Sequence, residues 1–123
     1  MISNPVCPFI NGFDTVPFVY EGGTTLYHFS PYDNNLSKHM HCNVIFLANS
    51  EAHAINVLKR MFEHIIECGE KYLQYKEDIY DITPRRIDRY RTFLRAANEG
   101  KIKLTIAPTN QFYKVGWAEN DTV

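Results

Sequence analysis

The sequence predicts an α+β fold: a mixed or antiparallel sheet of about five strands, in the order β-β-β-α-α-β-β, with two helices packed on one face. Segments rich in β-branched and aromatic residues lie towards both ends of the chain, two amphipathic helical segments lie between them, and turn residues separate the segments. No linker, repeat or low-complexity tract interrupts the 123 residues, which predicts a single globular domain over residues 1–123.

The first two strands are predicted to form a hairpin over residues 16–29. Gly22-Gly23 divides this segment into two β-rich halves, and glycine tolerates the positive φ angles of tight hairpin turns. Residues 30–38 (SPYDNNLSK) follow as a loop, because Ser, Pro, Asp and Asn each favour turns. Tyr and Asn residues over 27–35 form a candidate contact surface, or an ordinary connection between strands.

The segment from Met40 to about Tyr75 is the unit on which the other elements are expected to pack. Residues 40–48 predict a third strand, central and covered on both sides, because Val44–Ala48 is apolar at every position. Asn49 or Ser50 is expected to cap a long helix. The apolar residues of this helix recur at 3-4 spacing and predict a wide buried face made of Ile55, Leu58, Phe62, Ile65, Gly69, Tyr72 and Leu73, with Val57, Met61, His64 and Cys68 as an adjoining stripe.

A second helix is predicted from Pro84 to about Ala97. Thr83 is a good N-cap, proline suits the first helical position, and Gly100 is expected to end the helix in the left-handed conformation. Its core-facing residues are expected to be Ile87, Tyr90, Leu94 and Ala97, with Phe93 alongside. Two last strands are predicted over Lys101–Ala107 and Gln111–Trp117, and residues 118–123 are expected to fray.

Composition and charge exclude several classes of protein. The hydrophobic share of 45% is too high for intrinsic disorder, and the net charge of −1 excludes a globally basic nucleic-acid binder. Three cysteines without a CxxC spacing, and no secretion signal, predict reduced thiols in a cytoplasmic protein. No apolar run is long enough to cross a bilayer, so no membrane association is expected.

The second helix carries five arginines within eleven residues, and the chain has more aromatic residues than its core requires. Arginine binds carboxylates and phosphates bidentately, and exposed tyrosine suits binding faces. The predicted partner-binding residues are therefore Arg85, Arg86, Arg89, Arg91, Arg95, Tyr32 and Tyr80. The alternatives are a solvated arginine face paired with the Glu-rich side of the first helix, and a nucleic-acid site that grips phosphates and stacks bases.

Two His/Cys pairs suggest a metal site as a further alternative. His39 and His41 lie two apart in a strand segment, and His64 and Cys68 lie four apart on the long helix, so each pair shares one face. Nothing in the spacing shows that the pairs meet. The favoured explanation places His39 and His41 at a strand start near solvent, and His64 and Cys68 at core or boundary positions. There is no GxSxG elbow, phosphate-binding glycine loop or HExxH motif, so neither a catalytic residue nor a cofactor is predicted. A small metal-dependent enzyme centred on His39 and His41 stays an alternative.

In being short, single-domain and free of catalytic motifs, the chain resembles small phage-encoded inhibitors of host defence, including anti-CRISPR proteins. The resemblance implies a viral protein of the host cytoplasm whose target is a nucleic-acid-handling host complex. The leading hypothesis is a non-enzymatic inhibitor or accessory factor that acts by protein–protein contact. A nucleic-acid-binding domain that uses the arginine helix is the runner-up, and the sequence leaves a homodimer open.

Overall fold

A computed structural model of the chain describes residues 23–36, 40–74, 83–107 and 116–121, together with Pro8. Of residues 40–43 and 116–121 only the backbone is described. In chain order the elements are β1 (Thr25–Phe29), β2 (Met40–Ala48), α1 (Glu51–Leu73), α2 (Pro84–Asn98), β3 (Thr105–Ile106) and β4 (Gly116–Asp121). The α+β prediction is confirmed, whereas the first strand of the predicted hairpin, residues 16–21, lies outside the described residues.

Strands β1, β2 and β4 form an antiparallel sheet, and the two-residue β3 pairs along the outer side of β1, which gives the order β3-β1-β2-β4. The predicted central strand is confirmed in its bounds and its position, since β2 lies between β1 and β4. Its register on β1 places Val44 opposite Phe29 and Phe46 opposite Tyr27. Every described pairing is antiparallel, so the mixed sheet that the sequence allowed is not observed among the described strands.

Burial alternates along β1 and β2, as a sheet with one core-facing side requires. The cover predicted on both sides of β2 is complete on one side and partial on the other: Val44, Phe46 and Ala48 are fully buried, whereas Ile45 and Leu47 between them are half-buried. Tyr27 and Phe29 lie on the same face as the buried residues of β2 and belong to the core. Tyr27 and Phe29 are therefore no part of the candidate contact surface over residues 27–35, because the period of two turns both rings towards the helices.

Helix α1 begins at Glu51 because Ser50 caps it, and the Ser50 Oγ accepts a hydrogen bond from the His53 backbone N–H at 3.1 Å. Its 23 residues make a rod about 34 Å long. The buried stripe is shifted relative to the predicted one, because Ile55, Tyr72 and Leu73 pack only at the margin of the core. The buried residues of α1 are Ala54, Val57, Leu58, Met61, Phe62, Ile65, Cys68 and Gly69.

Aromatic rings join the sheet to both helices. The Phe29 ring lies edge-on to Phe62 of α1 and to Phe93 of α2, with centroid distances of 5.5 and 6.1 Å. Phe62 and Phe93 also contact each other at 5.7 Å. Such pairs add about 0.5–1.5 kcal/mol each to the burial of the rings. One β1 residue thus packs against both helices, and the two helices pack on one another.

The chain after α2 differs from the prediction of a long strand. Gly100 has a positive φ of 71°, its N–H bonds to the Ala97 carbonyl, and the Lys101 N–H bonds to the Ala96 carbonyl. This is a Schellman ending, and it confirms the predicted glycine stop. Lys101 still closes the helix, and the backbone of Lys103 bonds to the Asn34 side chain. Strand pairing within the predicted Lys101–Ala107 is therefore limited to the two residues of β3.

Strand β4 corrects the prediction for the end of the chain. It runs from Gly116 to Asp121, so the last strand extends four residues beyond the predicted Trp117, and residues 111–115 lie outside the described residues. The expected fraying of residues 118–121 was wrong, since they pair with residues 40–43 at the start of β2. The partner strand supplies the hydrogen bonds that local sequence does not reveal.

Candidate functional site

Helix α2 carries most of the predicted binding residues, and its position is set by its ends and its buried face. Thr83 caps it, with its Oγ1 accepting from the Arg86 N–H at 3.2 Å, and Pro84 occupies the first turn. Tyr90 and Phe93 are fully buried and contact each other edge-on at 5.4 Å. The buried residues of α2 are Ile87, Tyr90, Phe93, Ala96 and Ala97, whereas Leu94 packs at the margin.

The five arginines of α2 do not form one patch. Arg86 and Arg89 are half-buried beside the core-facing side, and the Arg89 Nη1 atom is shielded from solvent. The others lie on the solvent side of the helix, which we call the α2 face and which consists of Arg85, Asp88, Arg91, Thr92 and Arg95. The helical periodicity that buries Tyr90 and Phe93 divides the arginines in this way.

Arg91 is held by two carboxylates. Its Nη2 lies 2.5 Å from Glu70 Oε1 on α1, and its Nη1 lies 2.5 Å from Asp88 Oδ1 one turn earlier on α2. The hydrogen bonds that Arg91 donates to Glu70 and Asp88 raise the pKa of Arg91 above its ordinary value. The pairing expected between the arginine helix and the Glu-rich side of the first helix is thus realised at Arg91, where it ties α2 to α1.

Arg85 and Arg95 remain on the α2 face as exposed cations. Among the residues that the structure describes, neither side chain has a hydrogen bond or an ion pair. They stand ten residues apart on α2, which corresponds to about 15 Å along the helix axis. Two extended guanidinium groups at this spacing are able to meet two separate acidic groups on another molecule.

The two predicted tyrosines fall on other parts of the chain. Tyr32 is 58% exposed and lies in the turn that follows β1. That turn is closed by hydrogen bonds from the Leu36 and Asn34 N–H groups to Pro31 O, and Asn35 adopts a positive φ of 57°. Tyr80 lies outside the described residues. Tyr32 therefore belongs to a loop element, separate in sequence from the arginines with which it was grouped.

One exposed feature was missed in the sequence: Ile106 of β3 is 63% exposed. From the sequence, residues 101–107 are predicted only as a strand, with alternating residue types over 101–106 (KIKLTI). Ile102 is buried and Leu104 half-buried as that pattern predicts, but Ile106 is not covered. The sequence did contain a signal for this. Lysine alternates with apolar residues at positions 101 and 103, but no charged residue stands next to Ile106.

Of the two residue pairs in the metal alternative, the structure describes the side chains of one, His64 and Cys68. The Cys68 Sγ lies 3.8 Å from His64 Nδ1 and 3.7 Å from His64 Nε2, and Cys68 is 2% exposed. His39 lies outside the described residues, and only the backbone of His41 is described, opposite Asn120 in β4. Within the described part of the chain, no three His, Cys, Asp or Glu side chains converge as metal ligands. A zinc site generally takes three or four protein ligands, so this pair alone does not form one.

Comparison with known proteins gives no family: no protein-family model, curated protein or solved structure matches the chain significantly. Across the described ranges, no helix combines the length and apolar character needed to cross a membrane. Any functional argument therefore rests on the placement of the side chains themselves.

Proposed function

We propose that the protein is a non-enzymatic binding protein that attaches to an acidic surface of another protein through the α2 face. The observation that carries the proposal is the contrast among its three arginines. Arg91 is committed to Glu70 and Asp88, whereas Arg85 and Arg95 point to solvent with no acidic partner among the described residues. A carboxylate on a second molecule supplies the acidic partner that the described residues do not.

The strength of such contacts limits what the α2 face does. An exposed Arg–carboxylate pair contributes about 0.2–1 kcal/mol, so two such pairs alone do not give tight binding. Their larger effects are on the association rate and on the choice of partner, because complementary charges steer the encounter and like charges exclude wrong partners. Tyr32 is proposed as an additional contact, since an exposed tyrosine gives rigid area at low entropic cost.

A protein partner fits the charges better than a nucleic acid. Binding to a nucleic acid gains most of its affinity by neutralising several phosphates with Lys and Arg. The α2 face offers two uncommitted arginines and also exposes Asp88, and the net charge of the chain is −1. The narrower proposal, an anti-CRISPR-like inhibitor or accessory factor of a nucleic-acid-handling complex, is supported by the sequence profile alone.

The test is affinity capture from a bacterial lysate, with and without nuclease, followed by mass spectrometry. We expect one protein to be captured by the wild type in a salt-sensitive manner, to survive nuclease treatment, and to be lost with Arg85→Glu plus Arg95→Glu. The control is Arg60→Glu plus Lys71→Glu, which changes the net charge equally at two exposed positions of α1.

Both double variants are first checked for cooperative unfolding, so that loss of capture is not confused with loss of the fold. Equal capture by the wild type and by the α2 double variant would exclude the α2 face as the binding surface. Capture that disappears with nuclease, together with a salt-dependent shift of single-stranded DNA or RNA, would instead establish the nucleic-acid alternative.

A further inference from the structure

Hydrogen bonds at Lys103 and Ala107, on either side of β3, hold this segment against β1 and the turn after it and fix which way each backbone group faces. The Ala107 N–H donates to the Leu26 carbonyl at 3.0 Å. At Lys103, the N–H donates to Asn34 Oδ1 at 2.7 Å and the carbonyl accepts from Asn34 Nδ2 at 3.1 Å. The backbone groups of Lys103 and Ala107 are therefore directed towards β1 and the turn after it.

Successive residues of an antiparallel strand direct their backbone groups to opposite sides. Since the odd-numbered positions 103 and 107 face inwards, Leu104 and Ile106 direct their N–H and C=O groups outwards, away from β1. Among the described residues none bonds to these outward groups. Within the described part of the chain, the outer side of residues 104–106, which we call the β3 edge, is therefore available to pair with another strand.

An apolar row across the sheet ends at the β3 edge. Phe46, Tyr27 and Ile106 lie directly opposite one another on three neighbouring strands. The first two are buried, with ring centroids 6.3 Å apart, whereas Ile106 is 63% exposed. Directly opposed residues share one face of a sheet. A strand added at the edge would continue this row and cover Ile106 with its own apolar side chain.

The opposite face of the β3 edge is positively charged. The Thr105 Oγ1 lies 3.4 Å from His28 Nδ1 and marks that face, and alternation places Lys103 on the same side. Lys103 is exposed and has no ion pair among the described residues, whereas Lys101 is paired with Glu99 at 2.9 Å. An acidic side chain on the added strand would meet Lys103 on this face.

We propose that the β3 edge binds an extended segment of another protein as an added strand, with an apolar side chain beside Ile106 and an acidic side chain beside Lys103. Main-chain hydrogen bonds to Leu104 and Ile106 hold the segment, and the alternating side chains select it. A second copy of this chain fits poorly, because pairing two β3 edges brings the exposed Lys103 of both copies onto the same small sheet edge. Exposed lysines at a sheet edge oppose self-pairing in this way.

The probe is a seven-residue peptide of alternating valine and glutamate, acetylated and amidated, titrated into the intact protein. Amide hydrogen exchange measured by NMR gives the readout at single residues. We expect saturable binding that slows exchange at Leu104 and Ile106 by about tenfold or more, because each outward N–H gains a partner. Thr105 and Ala107, which already face β1, should change by less than about twofold by the same reasoning.

Two matched changes test the geometry. N-methylation of the peptide amides that face the β3 edge should weaken binding by about tenfold or more, whereas methylation of the alternate amides should not. Ile106→Pro removes one outward donor while keeping the inner ladder, so it should weaken binding similarly. The N-methylated peptides leave the protein unaltered and keep the test valid if that variant fails to fold.

Four outcomes would overturn the proposal. These are no binding at millimolar peptide, equal binding of a valine–lysine peptide, binding without protection of Leu104 and Ile106, and a dimer that protects both amides without peptide. The inference does not depend on the α2 face, so Arg85→Glu plus Arg95→Glu should leave peptide binding within about twofold. Loss of peptide binding in that variant would place the peptide on α2 and also overturn the proposal.

Discussion

The Asn34 side chain pairs with the backbone of Lys103 as a neighbouring strand would. Its amide nitrogen donates to the Lys103 carbonyl and its amide oxygen accepts from the Lys103 N–H, across 69 positions of sequence. Asn34 Nδ2 also donates to the Ser30 carbonyl, which orients the amide. One side chain thus extends the β1–β3 pairing past the end of β1 and holds the connection after α2 against the turn.

Replacement of Asn34 should loosen this connection. Asn34→Ala removes both hydrogen bonds and should cost about 1–2 kcal/mol of unfolding free energy. Asn34→Asp keeps the acceptor but lacks a donor at pH 7, and its carboxylate faces the Lys103 carbonyl, so a similar cost is expected there. The measurement is urea unfolding of both variants and the wild type.

The pH dependence separates the two Asn34 variants. The protonated carboxyl of the Asn34→Asp variant is again a donor, so folding favours that form and raises its pKa above the unfolded value of about 3.9. The loss of unfolding free energy of this variant relative to the wild type should shrink as pH falls through that folded pKa. The loss of unfolding free energy of Asn34→Ala should stay the same over that pH range. Parallel deficits at pH 3 and pH 7 would contradict the two-bond geometry.

Gly23 should not tolerate a side chain, whereas Gly100 should tolerate one at moderate cost. A Cβ at Gly23, where φ is +138°, would lie 2.3–2.6 Å from the backbone of Ala48, but a Cβ at Gly100 meets nothing within 4 Å. Gly100→Ala should cost about 1–2 kcal/mol, the cost of the left-handed conformation. Gly23→Ala adds a backbone clash and should cost about 3 kcal/mol or more. Thermal unfolding of both variants gives the comparison, and equal costs would contradict the close approach at Ala48.

The ion pair between Arg91 and Glu70 should be weak despite its short distance. Both side chains are about half exposed, at 42% and 51%, and exposed pairs contribute about 0.2–1 kcal/mol. A double-mutant cycle of Arg91→Met and Glu70→Gln should give a coupling in this range that decreases in 1 M salt. A coupling above about 2 kcal/mol would show that the pair, and not the aromatic contacts, holds α2 on α1.

Truncation of the chain should distinguish a paired strand β4 from the frayed tail that the sequence predicted for residues 118–123. Deletion of residues 118–123 leaves the backbone of residues 40–43 without its partner strand. Several backbone hydrogen bonds at about 0.5–1.5 kcal/mol each are lost, so a destabilisation of about 2 kcal/mol or more is expected. Deletion of residues 122–123 leaves β4 intact and should change stability by less than about 0.5 kcal/mol. The stability of both truncations is measured by urea unfolding. Equal stability would support the sequence-based expectation that residues 118–121 fray.

The metal alternative is open to a direct test, because only His64 and Cys68 of its four candidate ligands have described side chains. Elemental analysis of the protein and of His39→Ala plus His41→Ala tests this directly. One equivalent of zinc in the wild type that is lost in the double variant would establish the metal site.

Because Cys68 is 2% exposed, its alkylation should occur only at the rate of unfolding, whether or not zinc is present.

The sequence by itself determined the features that depend on neighbouring residues. The caps at Ser50 and Thr83 and the left-handed stop at Gly100 are fixed within one helical turn, so they could be predicted. The existence of β2 and its end at Ala48 also follow from neighbouring residues, since Val44–Ala48 is apolar throughout and polar Asn49 and Ser50 come next.

Only the tertiary structure decided the features that depend on distant partners. Residues 118–121 look like a frayed tail until β2 pairs with them, and Asn34 looks like a turn residue until Lys103 meets it. Similarly, Arg91 has Asp88 one turn away on its own helix, but it meets Glu70 because α1 brings that residue to it. Local propensity does not show which residues distant in sequence come into contact. Those contacts decide which side chains and which sheet edge remain available to a partner.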